Sequence, residues 1–446
     1  MLRIRDPIHK FILLSPEELT IVDSAPFQRL RNIKQLATSY LVYPGAEHTR
    51  FSHSLGVMHL AGKAFDAAMD NYYRRTGSYL FDDEVSRAWY RQVLRLIALT
   101  HDLGHGPFSH AFERRFKKGI EHEEFTRKIL FDTEIRRHIQ GVSDAFLRDN
   151  KDKILDADKN KYIITPELLW MIYGEKDASL KNGYDPKYNI IKDLMDGGLD
   201  CDKMDYLLRD AYYCGVNYGT YDVDKLISAL TVFKDEEKNT YRLAIDHSGL
   251  YAFEEFVVAR YHMFMQVYFH KTRRYLDKLL IDAIEELGIP EMGLKTSIDK
   301  YMGYDDCVIM SLLNKKAKDP SNINANQLLR QQVMSCVYET HGHNDSRIGN
   351  SLCNKIFKEL QEHLGADYVW EDFASKVMVK YFPKGRYDEL SSDDIPIFLS
   401  EDAGPGRAMD ESVLLQGLRS PINTRRIYVN KVNKGKAKAI IKGLLS

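Results

Sequence analysis

Cysteine is scarce in this 446-residue chain: Cys201, Cys214, Cys307, Cys336 and Cys353 are scattered, odd in number and form no CxxC pair. Their spacing excludes a disulfide framework and a thiolate zinc site, and it fits a reducing compartment. Net charge is nearly absent too, at -1 from 63 basic and 64 acidic residues, so no global field draws the chain to nucleic acid. No apolar stretch approaches the length needed to span a bilayer, so no membrane association is expected. Met1-Leu2-Arg3-Ile4-Arg5-Asp6-Pro7 lacks the apolar run of a signal peptide, and a cytoplasmic protein is expected. Internal repeats and low-complexity tracts are also missing. What remains is 44% hydrophobic and 28% charged, enough for one large domain and a smaller one.

Against that ordinary background one stretch is chemically dense: Thr100-His101-Asp102-Leu103-Gly104-His105-Gly106-Pro107-Phe108-Ser109-His110. An adjacent His-Asp pair, with histidines four and nine residues after the first, can share one divalent cation. The apolar run Val93 to Leu99 before it reads as a buried helix, and Gly104, Gly106 and Pro107 end that helix. The bland alternative is histidines capping a helix end. It leaves four titratable groups beside an apolar core, which is costly unless they are paired.

Around this centre the chain reads as mostly helical. Asp6-Pro7-Ile8-His9 suggests a turn, and Ser15-Pro16-Glu17-Glu18 an N-cap opening a helix to about Asp23. Pro26 to Leu36 has near-helical apolar spacing, with Gln28, Arg31 and Gln35 off the apolar face. Tyr40 to Tyr43 looks β-prone and Pro44-Gly45 a turn. A helix follows in which His53 sits beside a presumed N-cap, Ser52, with Arg50 three residues before it; His48 and His59 read as surface or packing residues. Asp202, Tyr206, Arg209 and Asp210 share one helical face, and that polar face needs a wet cleft or a cation opposite it. Residues 251 to 285 read as one long helix carrying Arg260, Tyr268, His270, Lys271, Arg273 and Arg274. Lys315 to Asn322 reads as an exposed loop, and Lys376 to Phe382 and Arg426 to Val429 as strands. The expected architecture is therefore a helical domain over 1–285 and a smaller α+β lobe over 286–446.

Three segments supply His53, His101, Asp102 and Asp202, a mixed nitrogen and oxygen set that suits Fe, Mn, Zn or Mg. Such a cation polarises a phosphoryl oxygen. His105, His110 and His122 are then free for proton transfer, or for supporting the ligands. Arg50, Lys203, Arg260 and Lys271 bring more positive charge than a neutral substrate needs, and a polyphosphate accounts for them.

Arg50-Phe51-Ser52-His53-Ser54-Leu55-Gly56-Val57, the His101 to His110 stretch and Asp202-Lys203-Met204-Asp205-Tyr206 together resemble the HD-domain metal phosphohydrolases. Phe27-Gln28-Arg29-Leu30-Arg31, the Pro44-Gly45-Ala46 turn and the Asp202-Lys203 helix bring the resemblance closest to the deoxynucleoside triphosphate triphosphohydrolases. It runs from about Asp6 to Lys271. It implies an HD-domain helical core and hydrolysis of a dNTP to deoxynucleoside and inorganic triphosphate. His53, His101, Asp102 and Asp202 correspond to the metal ligands, His110 with Glu113 to the catalytic histidine and its partner, and His105 and His122 to a phosphate-side pair. Arg50, Lys203, Arg260 and Lys271 match phosphate contacts. Tyr206 and Asp210 match groups at the sugar 3′-hydroxyl, Tyr268 the aromatic under the sugar, and Gln35 a residue beside the base. The family also implies a homotetramer activated by a guanine nucleotide at its interfaces, where Asp23, Gln28 and Arg31 match. Leu2 stands where the family has a basic residue, and Phe264 where it has a histidine one turn before Tyr268. No sterile alpha motif is expected ahead of the HD region.

Two other readings stay open from the residues. One is a different HD hydrolase, acting on a nucleotide monophosphate, a cyclic nucleotide or a nucleic-acid end. The other is a nucleotide- or nucleic-acid-binding regulator, for which Arg425, Arg426, Lys431, Lys434, Lys436, Lys438 and Lys442 offer a basic tail.

Overall fold

The computed structural model describes residues 2–174, 183–236, 239–340, 347–378, 395–398, 405–418 and 420–445. Helix makes up 61% of it and strand 13%, in agreement with the expected mostly helical class. At the centre pack the helices Arg50–Thr76, Glu84–Thr100 and Cys201–Cys214. The first starts at Thr49 (φ -120, ψ 165) and not at Ser52, which already lies in its first turn; it ends at Gly77, whose φ of 70 suits glycine. The second is capped by the Asp83 side chain. Its Val93, Leu94, Leu96 and Leu99 are 0% exposed, each worth about 1.5–3 kcal/mol of burial. His101 is the C-cap residue, so the His-Asp pair hangs from the end of a buried helix.

The chain opens with an antiparallel hairpin, β1 (Leu2–Asp6) and β2 (Lys10–Leu14), in the register Leu2 to Leu14 and Asp6 to Lys10. Its turn is the one expected at Asp6 to His9: Asp6 Oδ1 accepts the N–H groups of Ile8 and His9, each at 2.9 Å. Ser15 and Glu18 then form a reciprocal capping box on the helix Pro16–Val22.

Three local expectations need correction. The segment from Pro26 is α-helical only over Ala25–Gln28 and 3-10 over Arg29–Asn32, and extended backbone at Ile33 (φ -120, ψ 109) ends it. Tyr40 to Tyr43 forms no strand. Ala37 at φ 46 turns the chain, and the N–H groups of Ser39 and Val42 close 3-10 turns onto Leu36 and Ser39, both at 2.9 Å. Residues 251–285 are not one helix either. Leu250–Met263 passes into a π-turn over Phe264–Tyr268, closed by Phe269 N–H to Phe264 O at 2.8 Å. His270 (ψ 126) then breaks the chain before Lys271–Glu286.

Seven further strands follow: β3 (Leu230–Asp235), β4 (Thr240–Asp246), β5 (Ser335–Glu339), β6 (Val369–Lys376), β7 (Pro396–Phe398), β8 (Gly406–Arg407) and β9 (Ile422–Val429). β9 contains the expected Arg426 to Val429. Of the expected strand from Lys376, only Lys376 belongs to β6, and residues 379–382 lie outside the described residues. β5, β9 and β6 form an antiparallel sheet in that order, covered by the helices Arg347–Leu364 and Lys434–Leu445. A second sheet runs β3-β4-β7-β8 and is mixed, since β4 and β7 are parallel. An apolar cluster joins Phe108 and Phe112 beside the His-Asp stretch to Tyr301, Ile309, Leu313 and Tyr428 from the later part of the chain.

Candidate metal centre and adjoining pocket

The three central helices bring the expected ligand set together. His53 Nε2 lies 2.9 Å from Asp202 Oδ1, and His101 Nε2 3.8 Å from the same oxygen. Asp102 approaches both rings, with Oδ2 3.7 Å from His53 Nε2 and Oδ1 3.4 Å from His101 Nε2. His53, His101 and Asp202 offer ligand atoms within 4.8 Å of one another. Burial opposes a charge on His53, but Asp202 and Asp205 outweigh burial and raise its pKa to about 10, and a divalent cation ligated at Nε2 would displace the proton so favoured there. Burial also opposes ionisation of Asp202, yet His101 and His53 hold its carboxyl far below the usual range.

The far sides of the two rings show what the near sides can bind. His53 Nδ1 meets Asp205 Oδ2 at 2.8 Å, and His101 Nδ1 meets the Ala98 carbonyl at 2.8 Å. A carbonyl or carboxylate there accepts a hydrogen bond from Nδ1–H, which keeps the neutral ring's proton on Nδ1 and leaves Nε2 bare. Both Nε2 atoms are buried without a hydrogen-bond partner. Two bare imidazole nitrogens facing carboxylate oxygens fit a divalent cation.

Asp205 is itself heavily anchored. Arg209 reaches its two oxygens at 2.8 and 2.9 Å, His9 Nε2 reaches Oδ1 at 2.6 Å, and Arg209 continues to Asp6 at 2.8 Å. Arg209 therefore serves this buried network of carboxylates rather than the wet or cation-facing cleft expected for its face. Gly56 makes the approach possible: a Cβ there would stand 1.9 Å from Asp205 Oδ1.

Beyond the ligands, Arg50 is buried with Nη1 2.5 Å from Asp102 Oδ2 and Nε 2.9 Å from Ser109 Oγ. His105 Nε2 is 3.2 Å from Asp102 Oδ1. Burial, Arg50 and His122 all disfavour a charge on His105 and push its pKa well down. Glu113 Oε1 accepts from His110 Nδ1 at 3.0 Å and His122 Nδ1 at 2.9 Å. His122 stacks on His105 at 3.7 Å, and His110 is the exposed member. Burial works against the Glu113 charge, and the two histidines outweigh it, so its carboxyl stays well below the usual range.

Tyr206 and Asp210 lie further along the helix that carries Asp202. Tyr268 Oη donates to Asp210 Oδ2 at 2.6 Å, and the Tyr206 ring stands 6.2 Å from the Tyr268 ring. His48 is no surface residue: it is buried, with Nε2 2.8 Å from Asp210 Oδ1 and its ring stacked on Tyr213 at 4.6 Å. Gln35 bears a buried amide oxygen without a partner. Phe264 packs edge-on against Tyr268 at 4.9 Å. Lys203 and Arg260 line a cavity of about 430 Å³. Lys203 contacts Asp200 and the Gly197 carbonyl, and Arg260 donates to Met378 O at 2.7 Å while its Nε is unpartnered. Lys271 is exposed at the start of its helix. Arg31 donates to Gln28 Oε1 at 2.8 Å and lies 3.5 Å over the Phe51 ring, and Asp23 is exposed at the C-cap of Pro16–Val22.

Sequence reasoning overlooked Asp205 and His48 as site residues. Asp205 carried a signal, three residues after Asp202 on the same helix. His48 carried none, because its partner lies 162 residues away.

The HD domain pattern matches residues 50–196, and the HD associated region matches residues 221–335. An uncharacterized protein of Methanocaldococcus jannaschii is 30% identical over 93% of this chain and 76% of its own length. The chain belongs to the HD-domain family. An uncharacterized Bacillus subtilis protein is 34% identical over 62% of this chain, which spans about half (53%) of that relative's length. The deoxynucleoside triphosphate triphosphohydrolase SAMHD1 of Homo sapiens is 29% identical over 74% of this chain and 53% of its own length. A hypothetical protein from Aquifex aeolicus has a similar structure, with a TM-score of 0.73 at 29% identity over 99% of both chains. As an HD-domain protein, the chain has a divalent-metal centre in keeping with its family. Among the described residues no helix is long and apolar enough to cross a membrane.

Proposed function

We propose that this HD-domain protein hydrolyses dNTPs to deoxynucleoside and inorganic triphosphate. The observation that carries the proposal is that the bare Nε2 atoms of His53 and His101 face Asp202 on a helix that also carries Lys203, which lines a cavity with Arg260, and Tyr206 and Asp210, the latter bonded to Tyr268. His53, His101, Asp102 and Asp202 would hold a divalent cation, which would supply Lewis-acid polarisation of the phosphoryl group. Water adds to the α-phosphorus and releases one proton to solvent, from which His110 is later reprotonated, and the bond to the 5′-oxygen breaks. His110, oriented by Glu113, gives the departing oxygen its proton. His105, which burial keeps neutral, and His122 meet the phosphates. Arg50, Lys203, Arg260 and Lys271 neutralise the triphosphate. Asp210 and Tyr206 take the 3′-hydroxyl, Tyr268 lies under the sugar where a 2′-hydroxyl would be crowded, and Gln35 meets the base.

Regulation by a guanine nucleotide at subunit interfaces of a homotetramer belongs to the same proposal, with Asp23, Gln28 and Arg31 reading the base. The Gln28–Arg31 hydrogen bond supports it, because the pair is already joined as one recognition unit. A cytoplasmic setting fits the five free cysteines.

The test is to incubate the pure protein with each dNTP and a divalent metal, with and without dGTP, and to resolve the products. Deoxynucleoside and triphosphate support the proposal. Release of dNDP or dNMP, or turnover of a monophosphate or cyclic nucleotide alone, overturns it in favour of another HD-type hydrolase. A nucleic-acid contact at Lys434–Leu445, which has four lysines and no acid, would appear as DNA affinity falling steeply with salt.

A further inference from the structure

We propose that Asp306 is a positioning residue of this active site: it holds the His101–His110 loop in its working shape from outside the HD motif. The proposal rests on the activity above only for the effect on turnover; the effect on the loop is independent of it.

Asp306 begins the helix Asp306–Lys316, but it does not cap that helix. The N-cap is Asp305, whose Oδ1 accepts the Val308 N–H at 2.8 Å. Both Asp306 oxygens instead serve distant backbone. Oδ1 accepts the Phe108 N–H at 2.7 Å across 198 residues of sequence, and Oδ2 accepts the Lys34 N–H at 2.9 Å across 272. Phe108 and Ser109 are consecutive non-glycine residues at φ 53 and 55, a conformation that L side chains rarely adopt and that persists only where the surroundings enforce it. Asp306 grips the first of the two. Its neighbours hold the rest of the loop: Tyr301 Oη donates to Gly104 O at 2.5 Å, and Arg29, tied to the Tyr304 carbonyl, donates to His105 O at 2.9 Å.

The grip reaches the chemistry through Ser109. That hydroxyl donates to Lys34 O at 3.1 Å and accepts from Arg50 Nε at 2.9 Å, and Arg50 holds Asp102. One residue further on is His110. A carboxylate suits the task because it offers two acceptors, whereas an amide offers one and would turn its NH2 against the other N–H. Burying the group is unfavourable, and burial pushes the Asp306 carboxyl up to about 7 in spite of both bonds. A buried acid kept at that cost, with neither oxygen used by its own helix, is accounted for by the loop it holds.

The experiment is Asp306→Asn in the full chain, read by hydrogen exchange over residues 104–110, bound metal, and steady-state kinetics. Exchange at Phe108 should quicken by about tenfold or more while metal content is retained. kcat should fall by about tenfold or more and KM should change by less than about twofold, because small displacements of catalytic groups act on the reacting geometry. Unchanged exchange at Phe108, or faster exchange with unchanged kcat, overturns the proposal. If the unaltered protein turns over no dNTP, the functional proposal fails while the exchange measurement still decides whether Asp306 holds the loop. Should Asp306→Asn not fold, Asp306→Glu keeps the charge and both acceptors one methylene farther out, and the same loosening at Phe108 is expected.

Discussion

The Asp205 carboxylate lies 2.8 Å from His53 Nδ1, on the side of the ring away from the metal-ligand cluster. It fixes which nitrogen carries the proton and which way the ring faces. Asp205→Asn should lower divalent-metal affinity by about 10–100-fold, as loss of such supporting partners typically does. Calorimetric metal titration measures it; equal affinity would mean that His53 is oriented by something else.

Asp202 is the carboxylate nearest His53 Nε2. Asp202→Ala should abolish turnover and sharply reduce metal content in elemental analysis. A fully active, metal-replete variant would remove Asp202 from the ligand set.

Tyr268 shares Asp210 with His48, so losing its hydroxyl frees one Asp210 oxygen while His48 keeps the other. Tyr268→Phe should cost about 1 kcal/mol of substrate binding, seen as a KM for dNTP raised about fivefold. An unchanged KM would place the sugar elsewhere.

Glu18 is buried and accepts from Arg95 Nε at 2.8 Å, Arg95 Nη2 at 2.7 Å and the Ser15 N–H at 2.9 Å. Burial opposes its charge, but Arg95 outweighs burial, so its folded pKa lies below the ordinary 4.5. The sign follows: this stabilisation is complete above about pH 4.5 and disappears as the pH falls through the lower folded value. Glu18→Gln should cost about 3 kcal/mol at neutral pH by leaving Arg95 buried and unpaired. It should also flatten the acid limb of a stability curve; urea unfolding from pH 7 downward checks both.

Arg31→Ala should weaken guanine-nucleotide-dependent assembly while leaving the metal in place. Sedimentation with and without dGTP reads it, and an unaltered dGTP response would exclude Arg31 from the effector site.

Legibility in the sequence followed the range of the interactions. The apolar run before His101, the Ser15 N-cap and the Asp6 to His9 turn depend on residues close together in the chain, and each could be read directly. The helix spanning 251–285 could not, because its break lies in a π-turn where His270 and Phe269 depart from helical geometry with no proline or glycine to announce it. Tyr40 to Tyr43 has strand propensity, and Ala37 at positive φ overrides it.

From the linear order alone came the ligand types, the His-Asp spacing and the helix that carries them, since metal-donor chemistry and helical periodicity are local properties. The folded chain alone decided which nitrogen of His53 is bare, that Asp205 and His48 belong to the site, and that Asp306 reaches Phe108. Those facts rest on partners 152, 162 and 198 residues apart, brought together by burial of apolar faces that no short window of sequence contains.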